Sequence, residues 1–265
     1  MFSSKILKIV LIVVSQSLSL ISFAQEIFRS KPRFAIDYLS QDSVLLKIYE
    51  TYDINGQLDG YTSHILTPVC KNDECYNAEL DYYWDVLGNF FDFIIISGKP
   101  LTKLDHIPFQ DSDYEKLKNI LLTKSPSFIH LRRDELVVKP IATNLQDVNG
   151  ISGATIKYIE KDMVSGAIYT CYTLWHIANG DINFQLQEYT KQNLNKELIF
   201  KLLNSDNVEA HYFAIENMDS NSFEFFIDEI VELCKKYGQY FTNRLYDQLP
   251  DDLSQRLKII LKTKE

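Results

Sequence analysis

The chain has 265 residues, a formal net charge of −9, 46% hydrophobic residues and 16 each of Tyr and Phe. That length holds one or two domains and buries a sizeable core. An acidic chain has no electrostatic footprint for nucleic acid, so none is expected among its partners.

Residues 1–24 read as a secretory signal peptide. Lys5 and Lys8 supply a positive start, Ile6 to Val14 is apolar, and Ser22-Phe23-Ala24 fits a small-x-small cleavage site. Ser15, Gln16 and Ser17 break the apolar run before it is long enough to span a bilayer. No cysteine lies near the cleavage site, which argues against a lipoprotein anchor. The mature protein is expected to begin at Gln25, periplasmic or secreted, with its net charge moved from −9 to −11.

From Val44 to Ile96 the pattern is strand-like. Val44–Thr51, Tyr61–Val69, Cys75–Trp84 and Asn89–Ile96 are rich in β-branched and aromatic residues. Asn55-Gly56 and Asp85-Val86-Leu87-Gly88-Asn89 are turn signals between them. Four strands on short turns predict an antiparallel meander with one face covered. Cys70 and Cys75 flank the second turn, and in an oxidising compartment that position favours a disulfide. Four-residue spacing with no second pair makes an incomplete zinc site, so no metal is expected. Cys171 and Cys234 lie in helical patterns and read as buried thiols.

Ser112-Asp113-Tyr114-Glu115 reads as a capping box for a helix that turns Tyr114, Leu117, Ile120 and Leu121 inward and stops before Pro126. His106, in the loop ahead of it, is a candidate pocket residue or a backbone-bonded loop histidine. Phe128–Arg132 and Leu136–Val138 are short strand candidates.

The stretch Asn149-Gly150-Ile151-Ser152-Gly153-Ala154-Thr155 gathers small and hydroxyl residues ahead of a long periodic segment. Its glycines permit close backbone approach, and its N–H groups and hydroxyls suit a phosphate. Behind it Val164, Ala167, Ile168, Cys171, Leu174, Trp175 and Ala178 follow helical spacing, with Gly180 in the place of a C-cap glycine. Gly150-x-Ser152-x-Ala154 misses the nucleophile-elbow pattern by its last residue, and no strand–helix alternation surrounds it.

Ser152-Gly153-Ala154-Thr155 resembles the attachment motif of the FMN-binding domain family, which includes flavin subunits of the sodium-pumping NADH:quinone oxidoreductase and of the Rnf complex. The resemblance implies FMN bonded through its phosphate to the Thr155 hydroxyl, with Ser152, Gly153 and Ala154 shaping the loop. It also implies two partners, a flavin transferase and a membrane redox partner. The family pattern opens on Asp, and Asn149 stands there, keeping the shape but not the charge. Trp175 reads as core; Tyr169, Tyr172 and His176 could flank a cofactor.

After Gly180 the glycines nearly vanish and helical spacing takes over. Expected helices are Ile182–Lys191, Lys196–Leu203, Val208–Met218, Ser222–Lys236, Gln239–Gln248 and Leu253–Lys262, with the polar stretch 192–195 a candidate joint. The segment from Lys196 to Met218 faintly resembles a HEAT-type helix pair, and stacked pairs present binding faces to protein partners. The expectation is therefore an α+β fold: a signal peptide over 1–24, an FMN-binding-like α+β domain over 25–180 built on an antiparallel meander, and an all-helical segment over 181–265. The function expected of it is extracytoplasmic electron transfer, more as a redox carrier than as a stand-alone enzyme. The competing reading is a non-redox secreted interaction protein that binds through its helices.

Overall fold

A computed structural model describes residues 32–40, 44–70, 76–138, 154–155 and 157–263, with the backbone alone for 138, 154 and 155. The signal peptide, Asn149, Gly150, Ser152, Gly153 and Cys75 lie outside the described residues. Five strands form one antiparallel sheet in sequence order: β1 (Phe34–Leu39), β2 (Leu45–Tyr52), β3 (Leu58–Thr67), β4 (Ala78–Asp85) and β5 (Phe90–Ile95). The sequence signals only four of these. β1 escapes because it is an edge strand in which Tyr38 alone is buried.

Side chains alternate across the sheet. Leu46 and Ile48 of β2, Tyr61, Ser63 and Ile65 of β3, and Ala78, Leu80, Tyr82 and Trp84 of β4 all face inward and are buried. Helix α1 (Asp111–Leu122) and helix α2 (Ile168–Asn179) cover that face. The capping box of α1 sits two positions before the expected one, on Gln110 and Asp113: the Asp113 carboxylate accepts the backbone N–H of Gln110 at 2.8 Å. α2 is buried on almost every side and begins at Ile168; Val164 and Ala167 are buried ahead of it. Phe128–Arg132 is a turn rather than a strand, and it drives Phe128 into the core edge-on to Trp175.

Two hairpins of the sheet end in the same device. Asp53-Ile54-Asn55-Gly56-Gln57 and Asp85-Val86-Leu87-Gly88-Asn89 each place a glycine at positive φ, 74° and 75°. In both, the aspartate accepts two backbone N–H groups, from Asn55 and Gln57 or from Leu87 and Asn89. This is a tight turn closed by a left-handed glycine.

Helix α3 (Ile182–Gln192) still belongs to the sheet core through Ile182 and Leu186. From α4 (Lys196–Leu203) a second core forms, shared by α5 (Val208–Asn217), α6 (Ser220–Phe225), α7 (Ile227–Gln248) and α8 (Asp251–Thr263). The core thus changes within the polar 192–195 joint. Asn195, Asn207 and Asp219 cap α4, α5 and α6 by accepting the N–H of Leu198, Glu209 and Ser222. α7 breaks at Gly238, whose φ is 74°. The hairpin Asp85–Asn89 inserts Val86 and Leu87 into this second core, so the helices dock on the sheet's turns. Lys201 of α4 adds a polar tie, donating to Asp53, Asp59 and the Leu58 carbonyl at 2.8–3.0 Å. Burial pulls against its charge, yet the two aspartates raise its pKa. No helix among the described residues is long and apolar enough to cross a membrane.

Candidate functional site

Of the motif residues, the structure describes the backbone of Ala154 and Thr155. They form β7 (Ala154–Thr155), antiparallel to β6 (Val137–Val138), with Val137 opposite Thr155 and Val138 opposite Ala154. That two-rung ribbon brings the residues before 139 beside the end of the motif. A 3-10 turn over Lys157–Asp162 lies farther along the chain, and its Ile159 is buried in the sheet core.

Just ahead of β6, Arg133–Glu135 forms another 3-10 turn. Arg133 Nη2 donates to the Val69 carbonyl at 2.6 Å, and the guanidinium carbon sits 5.5 Å from the Tyr169 ring centroid. Its Nε is buried without a hydrogen-bond partner among the described residues. A buried guanidinium donor left over beside an aromatic face fits an anionic, aromatic group, and it is four residues from the strand that pairs with Thr155. Sequence reasoning did not single out Arg133; its only signal was an arginine close before a short apolar pair.

The other candidates fall in different places. Trp175 is core, its Nε1 donating to the Thr123 carbonyl at 2.8 Å. Tyr172 donates to the Leu131 carbonyl, and His176 packs against the Tyr172 and Trp175 rings. His106 is exposed at φ 58° and stacks on Tyr76 at 4.4 Å. Cys171 and Cys234 are buried free thiols, and burial pushes the Cys171 thiol up to about 12. Cys70 is disulfide-bonded. Among the described residues no three His, Cys, Asp or Glu are grouped to hold a metal.

A second polar site lies where the two cores meet. Glu50 occupies an inward position of β2 and is 4% exposed. Tyr52 donates to its Oε2, Tyr189 of α3 donates to its Oε1 at 2.7 Å, and Arg33 Nε stands 3.6 Å away. Burial first, then the bonded carboxylate, raises the Tyr189 hydroxyl to about 12. Next to it Tyr61 and Thr190 share a 2.5 Å hydrogen bond, and Thr190 also donates to the Val86 carbonyl at 2.6 Å. Glu50 opens onto a cleft of about 360 Å³, lined also by Arg33, Asn55, Gln57, Asn193 and Glu197. The acid at an inward strand position after Leu46 and Ile48 was a readable signal; its partners were not.

Comparison with protein-family models, with curated proteins and with solved structures gives no match.

Proposed function

We propose that the chain is an extracytoplasmic electron-transfer module that carries FMN on Thr155. The observation supporting it is the Arg133 guanidinium, with its unpartnered Nε and its Tyr169 neighbour, next to the β6–β7 ribbon in which Thr155 lies. The flavin, when bound, supplies the redox chemistry. The Thr155 hydroxyl holds its phosphate, and Ser152, Gly153 and Ala154 leave room for the backbone to approach. Arg133 provides fixed positive charge, and Tyr169 provides an apolar face. This role needs no acid–base pair; the chain takes electrons from a membrane redox partner after a flavin transferase has loaded it. The same reading has a Cys70–Cys75 bridge at the β3–β4 connection, contributing about 2 kcal/mol for so short a loop, which non-reducing peptide mapping checks.

The test is intact mass after co-expression with a flavin transferase. The expected result is an increment of one FMN less one water that survives denaturation and disappears in Thr155→Ala. Absence of the increment in both the native chain and Asn149→Asp overturns the reading.

One observation favours a second reading, an interaction protein. A groove of about 690 Å³ between α7 and α8 is lined by Lys235, Lys258 and Lys262 with no acid among its lining residues, on a chain of net charge −9. An acidic protein segment suits it.

A further inference from the structure

We propose that the cleft in front of Glu50, between the β2–β3 hairpin and the α3–α4 joint, binds a neutral, hydroxyl-rich ligand: a saccharide residue. The proposal is independent of the flavin reading. About 360 Å³ is near the lower end of small-molecule sites, roughly 300–1,000 Å³, and suits a ligand of one or two rings. The lining holds one cation, Arg33, and two acids, Glu50 and Glu197, so neither a strong anion nor a strong cation matches it. It offers donors and acceptors together: the Asn55 and Gln57 amides and Arg33 donate, while the two carboxylates accept. A sugar hydroxyl does both, and neighbouring hydroxyls need planar groups of this kind set side by side.

The cleft is also preorganised. Tyr52 and Tyr189 fix the Glu50 carboxylate from two different elements. Asn193 is pinned by its bond to the Tyr189 carbonyl, and Asn195 by its cap on Leu198. The side chains of Asn55, Gln57 and Glu197 make no hydrogen bond among the described residues, so their polar heads are available. Tyr52, exposed on one side, gives the C–H face of a sugar an aromatic surface. An acid at an inward strand position is costly unless it is held and used. Two tyrosine hydroxyls bond it here and Arg33 pairs with it at 3.6 Å, and the cleft is where it is used.

Saturation-transfer NMR on the full mature chain tests this with glucose, galactose, mannose and N-acetylglucosamine as probes. At least one should show transfer, and Gln57→Ala with Glu197→Ala should weaken its binding by about tenfold or more, since two hydrogen bonds are lost. Both sites are peripheral to the cores, and an unchanged thermal melt would confirm that the variant folds. Inorganic phosphate, glycine and spermidine should not displace the sugar. No transfer from any of the four sugars overturns the proposal. So does transfer undiminished in the double variant, or displacement by phosphate or spermidine; Glu50 is then only a tie between β2 and α3.

Discussion

The indole Nε1 of Trp84 donates to the Ala178 carbonyl at 3.0 Å, joining β4 to the last turn of α2. The final carbonyls of a helix have no partner within it, and here the buried sheet supplies one. One turn earlier Tyr82 adds a second bond from β4 to α2, donating to the Leu174 carbonyl at 3.1 Å. Trp84→Phe keeps an aromatic ring but removes the donor, leaving a buried acceptor short of a partner. The expected cost is about 1–3 kcal/mol. It should appear as a lower urea midpoint at unchanged slope, and an unchanged midpoint would mean that water reaches the carbonyl.

Gly180 ends α2 in the place the sequence assigns to a C-cap glycine, but not in the expected conformation. Its φ is −70°, outside the left-handed region. The glycine is needed for space: a Cβ would lie 2.6 Å from the His176 carbonyl oxygen and 3.1 Å from the Tyr38 hydroxyl. Gly180→Ala should destabilise by about 1–3 kcal/mol. Adding Tyr38→Phe removes the hydroxyl contact but also the 2.6 Å hydrogen bond that this hydroxyl donates to Asp181, so the double variant should not recover. Recovery would place the clash at Tyr38 and not at the helix backbone.

Sequence pattern reaches the sheet wherever burial is one-sided, as in β4, where Ala78, Leu80, Tyr82 and Trp84 alternate with exposed or half-buried neighbours. It reaches α4 and α5, whose starts Asn195 and Asn207 mark, but it runs the expected helix from Ser222 to Lys236 across the break at Phe226 that separates α6 from α7. It fails at β1, whose pattern is diluted by edge exposure, and at Phe128, an apolar residue whose turn geometry is set by packing on Trp175. For the candidate sites, the motif at Thr155 is visible because its residues are contiguous. Arg133 over Tyr169, and Tyr189 on Glu50, join residues far apart in the chain, and no local periodicity encodes such pairs.

Val86 and Leu87 belong by sequence to a sheet turn and by packing to the helical core. Cutting the chain within the 192–195 joint should therefore leave two fragments that co-elute on gel filtration. Leu87→Asp buries a charge against apolar helices and should let the nicked halves separate. Fragments of the native chain that part on nicking would show that the docking adds little.

His211 is fully buried, its Nε2 donating to the Ser205 carbonyl at 2.8 Å while Nδ1 has no partner among the described residues. Burial lowers its pKa from 6.5, opposed by the Ser205 carbonyl and helped by Lys236. The unfolded chain then binds the proton more tightly than the folded one. Its contribution to stability is thus complete above pH 6.5 and is lost as pH falls from there toward the lowered folded value. Urea midpoints measured between neutral and mildly acidic pH should drop, and His211→Gln should flatten that part of the profile. A profile that keeps its slope in His211→Gln assigns it to other groups.

Arg133 and Tyr169 bear most directly on the flavin proposal. The guanidinium is held by the Val69 carbonyl and faces the Tyr169 ring, with Nε left over. If that donor serves an anion near Thr155, Arg133→Met should lower the fraction of protein carrying the flavin mass increment without removing it. Arg133→Lys keeps the charge but not the planar fork, so its occupancy should fall between the two. Tyr169→Leu should leave occupancy nearly unchanged and brighten flavin fluorescence, because a tyrosine close to the ring system quenches it. Circular dichroism must show all three variants folded, since Arg133 also ties the end of β3 to the turn before β6. Full occupancy in Arg133→Met, with unaltered fluorescence in Tyr169→Leu, would reduce the pair to a structural clamp and leave Thr155 without a neighbouring charge.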